Sequence, residues 1–145
     1  MKTKDFFKQL DDQRVVAAIQ AAEKESSGEI RVFVHRSRVS DPVEFAKKQF
    51  VRLKMNRTQE RNGVLIFVAP RSQNFAVIGD EAIHQKCGEV FWNEIAAAMT
   101  GHFRRGDFTS GVVYGIERAG EILARHFPRK RDDQNELADK VEYCD

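Results

Sequence analysis

The run Gly63–Ala69 constrains the fold most strongly, because its side chains are apolar at both alternating sets of positions. A β-strand with this pattern buries both of its faces, and so lies in the middle of a sheet with helices above and below. Asn62 and the turn-forming segment Pro70–Asn74 bound the run on either side. The sequence therefore predicts a central strand in a layered α/β fold.

Two helices and one strand are predicted before this run. Apolar residues at helical spacing predict a helix from about Asp12 to Glu25, with Asp11 or Asp12 as its cap. The alternation in Glu29–His35 predicts a strand with one apolar face and one mixed face. Asp41 followed by proline is a helix start signal, and the apolar stripe of that helix is Val43, Ala46, Phe50 and Leu53.

The segments after the central run complete the predicted sheet and add two helices. Phe75–Ile78 is apolar, and its short connection to Gly63–Ala69 requires an antiparallel pair. Helices are expected over Glu89–Phe103 and Thr109–Phe127. We thus predict a three-layer α/β/α sandwich with a small mixed sheet. Its parts are an N-terminal turn or extension (1–11), the α/β domain (12–127) and a polar, flexible C-terminal tail (128–145).

Composition and charge exclude several classes of function. The 24 Lys and Arg residues nearly balance the 22 Asp and Glu residues, so no concentrated basic surface for nucleic acid is expected. Two cysteines, one of them next to the C-terminus, predict neither a structural disulfide nor a zinc site. No apolar segment has the length of a signal peptide or of a membrane span. These features indicate a cytoplasmic protein with no membrane span in this chain.

Three motifs, in this order and spacing, resemble the TPM-domain family. They are the strand Ser27–Val34, the segment Asn62–Ala69 with its Asn-Gly start, and the Gly-Asp-aromatic turn of Gly106–Gly111. The resemblance spans about Asp12 to Phe127 and implies a sheet sandwiched by helices. It also implies acid-phosphatase-type activity, as attributed to thylakoid members that serve photosystem II repair. Binding of divalent cations such as calcium is a further implication, since some members are reported to bind them.

This chain departs from the family at two acidic positions. Members often have an acidic residue directly before Asn-Gly, where this chain has Arg61. They also commonly have an aspartate downstream of the third strand, where Lys86 or Cys87 stands here. Both changes weaken the expected cation site. The two cations, Arg61 and Lys86, could instead bind phosphate directly.

The predicted topology brings oxygen-bearing side chains from distant loops to one edge of the sheet. Parallel first and second strands begin at this edge, and the antiparallel third strand ends there. Because Ca²⁺ and Mg²⁺ prefer several oxygen ligands, a cation site is predicted. Its residues are Glu29, Asn62, Asp80, Glu81 and Asp107. A second interpretation stays open, in which the two aspartates are helix caps and Asn-Gly is a turn.

Two functions from different classes follow from these residues. The first is a binding or interaction module with an unknown protein partner and at most weak cation binding. The alternative is a metal-assisted phosphomonoesterase, in which the cation polarises the phosphate. His35 and His84 are candidate bases or ligands, and Cys87 is a candidate nucleophile without an identified activating histidine. The sequence contains neither a phosphate-binding glycine motif nor a nucleophile elbow.

Overall fold

The computed structural model describes residues 6, 8–58 and 60–128, together with the backbone of residues 141–144. It contains four helices and four strands within these ranges, joined in part by short 3₁₀ turns. In chain order they are α1 (Asp12–Lys24), β1 (Glu29–His35), α2 (Pro42–Arg52), β2 (Gly63–Ala69), β3 (Asn74–Gly79), α3 (Glu81–Arg104), α4 (Phe108–His126) and β4 (Val141–Cys144).

The first two helices begin where the sequence signals place them. The Asp11 carboxylate accepts a hydrogen bond from the backbone N–H of Arg14 at 3.2 Å, and this caps α1. Asp41 caps α2 in the same way through Glu44, with proline at the first helical position. Each aspartate satisfies a backbone donor that a helix start leaves without a partner. Both predicted helix starts are confirmed.

The strands form one mixed sheet in the order β3-β2-β1-β4. β2 pairs in parallel with β1 and antiparallel with β3, so it occupies an interior position as predicted. In the register, Glu29 is opposite Gly63, and Val64 is opposite Gly79. The beginnings of β1 and β2 and the end of β3 therefore share one edge of the sheet.

Helices pack against residues of both faces of the sheet, and the predicted α/β fold with a small mixed sheet is confirmed. Val64, Ile66 and Val68 of β2 belong to a core that also contains side chains of α1, α3 and α4. The intervening Leu65 and Phe67 belong to a second core, on the face that α2 covers. Successive residues of a strand point to opposite faces, so one strand supplies both cores.

Three features differ from the sequence-based expectations for the helices and the tail. Val43 was assigned to the core stripe of α2 but is 44% exposed, whereas Phe45 packs against the core. α3 begins at Glu81 rather than Glu89 and is interrupted at Gly88, whose φ of 72° only glycine adopts readily. The predicted tail contains β4, which pairs in parallel with β1.

The predicted N-terminal turn packs on the domain where it is described. Phe6 is fully buried, and its ring lies 5.4 Å from that of Phe108. Its backbone carbonyl accepts a hydrogen bond from the N–H of Leu10. The rest of the predicted extension, residues 1–5 and 7, lies outside the described part of the chain, as do residues 129–140 and 145 of the predicted tail.

Candidate functional site

Four of the five predicted ligand residues lie at the shared edge of the sheet. The register places Glu29 at the start of β1 beside the start of β2, which Asn62 immediately precedes. The backbone N–H of Asp80 donates to the carbonyl of Gly63 at 2.9 Å, which brings the end of β3 to the same place. Glu81 follows as the first residue of α3. We call Glu29, Asn62, Asp80 and Glu81 the acidic edge.

Asp107 lies at the other end of the domain, and its predicted position at the acidic edge is wrong. It precedes Phe108, which packs on Phe103, and the Phe103 ring meets Phe75 at the start of β3. The far end of α4 is the one near the acidic edge, where the carbonyl of Phe127 accepts from the N–H of Ser27. The 19 residues of α4 separate its two ends by about 28 Å. The sequence indicated the helix start but not the direction in which α4 crosses the sheet.

Arg61 forms a bidentate ion pair with the carboxylate of Asp80. Arg61 donates from Nε at 3.0 Å and from Nη2 at 3.1 Å to the two oxygens of this carboxylate. The same carboxylate accepts from the backbone N–H of Glu81 at 2.7 Å and so caps α3. The Asp80 side chain is only 5% exposed, whereas that of Arg61 is 47% exposed. The paired geometry uses both oxygens of Asp80, and charged bidentate pairs of this kind are the strong ones.

The backbone fixes Arg61 in position for this ion pair. Its φ of 53° is in the left-handed region, and its carbonyl accepts from the N–H of Ala82 at 3.2 Å. Hydrogen bonding to Asp80 and the charge of that carboxylate raise the pKa of Arg61 above its ordinary value. The Nη2 of this guanidinium also lies 3.9 Å from Glu81.

A second polar group lies in the loops that lead into β1 and β2. The hydroxyl of Ser27 donates to the carboxylate of Glu60 at 2.6 Å. The side-chain amide of Asn62 donates to the hydroxyl of Ser27 at 3.1 Å and to Glu60 at 3.4 Å. Asn62 is buried, and its backbone N–H is bonded to Thr58. The Asn-Gly segment is thus a hydrogen-bonded turn, and Glu60 is a participant that the sequence patterns did not single out.

The described side chains do not form a ready-made site for a hard cation. Ca²⁺ and Mg²⁺ need several oxygen ligands converging on one point. No group of three or more His, Cys, Asp or Glu side chains with such an arrangement exists among the described residues. Arg61 holds both oxygens of Asp80, and the amide of Asn62 is directed at Ser27 and Glu60. The roles of Glu29, Asn62, Asp80 and Glu81 as metal ligands remain predictions.

The other reactive residues are distributed over separate environments. His35 is buried, and its ring lies 4.6 Å from that of Phe45. His84 is exposed in the first turns of α3. The ammonium of Lys86 lies 5.9 Å from the ring centre of Phe127. Lys86 and Arg61 thus have different partners, Phe127 and Asp80, and no contact between the two cations is observed among the described residues.

Cys87 has the environment of a packed thiol. It is half-buried and packs against the larger core. Burial raises the pKa of the Cys87 thiol above its ordinary value of 9.0, although Arg125 and Lys86 act in the opposite direction. A raised pKa disfavours the thiolate, which is the nucleophilic form. These features agree with a structural rather than a nucleophilic cysteine.

The comparisons with known proteins agree with the fold and with the sequence motifs. A family model described as the TPM domain matches residues 1–122. The chain belongs to the TPM-domain family. It is also similar to a solved structure, the NMR structure of the BA42 protein from the psychrophilic bacterium Bizionia argentinensis. The two share 38% identity with a TM-score of 0.85, and the match covers 93% of this chain and 95% of that one. None of the curated proteins compared matches the chain.

None of the described helices of this TPM-domain protein combines the length and the apolar character needed to cross a bilayer.

Proposed function

We propose that this TPM-domain protein is a protein-binding module in which an internal ion pair closes the acidic edge. The observation that carries the proposal is the bidentate contact of Arg61 with Asp80. A divalent cation at this carboxylate would have to displace the guanidinium or bind beside a positive charge. Either route opposes binding, so Ca²⁺ and Mg²⁺ bind weakly at most.

The remaining polar groups at the edge support the same proposal. Ser27, Glu60 and Asn62 bond to one another, and a cation that recruited Glu60 would compete with the 2.6 Å bond from Ser27. Asp80 also caps α3. These side chains thus have structural tasks that account for polar residues at this edge without a reaction. The phosphomonoesterase remains the alternative hypothesis.

A cation titration followed by amide NMR tests the proposal. In the wild-type chain we expect CaCl₂ to shift the amides of residues 60–63 and 79–82 only at millimolar concentrations. In Arg61→Gln the removal of a like charge near the site should strengthen binding roughly tenfold. Arg71→Gln is the matched control, because Arg71 is exposed in the turn at the opposite edge of the sheet and carries the same charge. Micromolar saturation of the wild-type acidic edge would refute the proposal.

A hydrolysis assay with an aryl phosphate distinguishes the two functions. We expect no turnover of p-nitrophenyl phosphate above the buffer rate, with or without Mg²⁺. The enzyme hypothesis requires turnover that Asp80→Asn abolishes, since this carboxylate would hold the cation. Turnover in the wild type that is lost in this variant would overturn the proposal in favour of the phosphomonoesterase.

A further inference from the structure

β3 is the outermost strand of the sheet and lacks the usual protection against strand addition. Its lateral side is distinct from the acidic edge, which lies at the ends of the strands. β3 is the terminal strand beside β2, and its six residues, Asn74–Gly79, pair in continuous register. The strand contains no proline, no charged residue and no bulge. A proline, a charged residue or a bulge commonly prevents an edge strand from pairing with another chain. No other strand of the described residues pairs with its outer side, so this side of β3 can accept a further strand.

The register identifies the backbone groups that point outward from this edge. In an antiparallel pair, positions that exchange hydrogen bonds alternate with positions whose N–H and C=O point away from the partner strand. Asp80 donates to Gly63, which makes that pair a hydrogen-bonded one. Continuing the alternation, Ala76 and Ile78 bond to β2, whereas Val77 and Gly79 direct their N–H and C=O away from it. None of the described residues forms a side-chain hydrogen bond to the backbone of these two positions.

Helices on both faces turn this edge into a groove of about 550 Å³. Its floor includes Val77 and Gly79, and Val43 of α2 forms part of one wall. Val43 is 44% exposed although its helix packs against the sheet. Trp92 of α3 forms part of the opposite wall, and its ring lies directly over Gly79. The indole N–H of Trp92 has no hydrogen-bond acceptor among the described residues.

Charge in the groove specifies the partner further. Glu89 is exposed beside Trp92 and makes no ion pair with any described residue. Glu81 adds a second carboxylate, of which Arg61 is 3.9 Å away. Lys47, on the α2 wall, is itself 3.4 Å from Glu44. The α3 wall therefore favours basic side chains, and a guanidinium there can also stack on the indole.

We propose that β3 binds an extended peptide segment of another protein by strand addition. Consecutive residues of an added strand face opposite walls, so the segment alternates apolar residues towards Val43 with Arg or Lys towards Trp92 and Glu89. The inference rests on the proposed function as a protein-binding module and names the class of partner. A second copy of this chain fits less well, because the helices that pack against its own β3 would have to enter the groove together with that strand.

Hydrogen exchange of the intact chain with a synthetic probe tests the inference. The probe is a capped Val-Arg-Val-Arg-Val peptide, and its controls are the Val-Glu-Val-Glu-Val peptide and an N-methylated form of the probe. We expect the amides of Val77 and Gly79 to exchange rapidly in the free protein and at least tenfold more slowly with the probe. The amides of Ala76 and Ile78, which bond to β2, should be protected in both states. Neither control peptide should protect Val77.

Surface variants test the groove wall without disturbing the core. Val43→Lys places a charged side chain against the apolar residues of the probe and adds a positive charge to the groove that binds it, so we expect at least fivefold weaker binding. Val51→Lys is the matched control, since Val51 lies on the same helix, is 59% exposed and does not line the groove. It should change binding by less than twofold.

Two results would overturn the inference. One is unchanged exchange at Val77 and Gly79 at millimolar probe. The other is protection that rises with protein concentration alone, accompanied by a dimer in sedimentation velocity, which would assign the edge to a second copy. Either result leaves the weak cation binding and the lack of aryl phosphate hydrolysis standing. Tight cation binding or hydrolysis would instead overturn the proposed function itself.

Discussion

Replacing Gly79 by alanine perturbs the contact between the edge strand and the groove wall. A methyl group at this position would lie 2.3 Å from Cζ2 and 2.7 Å from Cη2 of Trp92. Ordinary contact begins near 3.5 Å, so the ring must retreat by about 1 Å or swing out of the groove. Overpacking of this kind costs about 1–3 kcal/mol.

The lost flexibility of glycine in the unfolded chain offsets part of this cost, by about 0.5–1 kcal/mol. We therefore expect Gly79→Ala to lower the free energy of unfolding by about 0.5–2 kcal/mol, which for a chain of 145 residues corresponds to a fall in Tm of about 2–7 °C. Chemical denaturation measures the first quantity and a thermal scan the second. Because Trp92 is the chain's single tryptophan, its emission maximum reports the ring displacement directly.

Gly101→Ala is the matched control for this prediction. A methyl group at Gly101 would meet only a flexible arginine terminus, at 3.5 Å. Since alanine favours the helix, this variant should be more stable by about 0.5–1 kcal/mol, with unchanged emission. A Gly79→Ala protein with wild-type stability and wild-type emission would refute the packing of Trp92 on the edge strand.

Three further outcomes follow from the same structure. Asp80→Ala should lower the free energy of unfolding by about 1–2 kcal/mol through loss of the α3 cap. Asp107→Ala should lower it by only about a few tenths of a kcal/mol, because the Asp107 side chain makes no capping bond. Urea denaturation measures both values. Gly28→Ala should destabilise the chain by about 1–3 kcal/mol, because a methyl group there would lie 2.6 Å from the side chain of the buried Leu123, and equal stability would contradict this packing. In a Cys144→Ser background, the rate of alkylation of Cys87 should rise with pH through a midpoint above pH 9. The contribution of the Cys87 thiol to the free energy of unfolding should be complete below pH 9 and decline above it, because the unfolded chain loses the thiol proton first.

The sequence determined the parts of the fold that depend on local signals. The two-faced apolar run of β2 and the Asp-Pro start of α2 each reflect a short-range physical requirement, and both predictions are confirmed. The short β2–β3 connection likewise fixed the antiparallel pairing and thus the acidic edge. These features do not depend on how the helices cross the sheet.

The wrong predictions concern contacts between residues far apart in the chain. The position of Asp107 depends on the direction of α4, and the exposure of Val43 depends on how α2 is rotated on the sheet. Arg61 was noted as a departure from an acidic position, but its bidentate contact with Asp80 requires the left-handed turn that the sequence does not reveal. β4 was missed because its strand pairs with β1, more than a hundred residues earlier.

A crystal structure of the wild-type chain grown in tens of millimolar CaCl₂ tests the closed acidic edge most directly. Both guanidinium contacts should persist near their present 3.0 and 3.1 Å, with no ion bound to the Asp80 carboxylate. A calcium ion coordinated by Asp80, with the guanidinium of Arg61 turned away, would contradict the account.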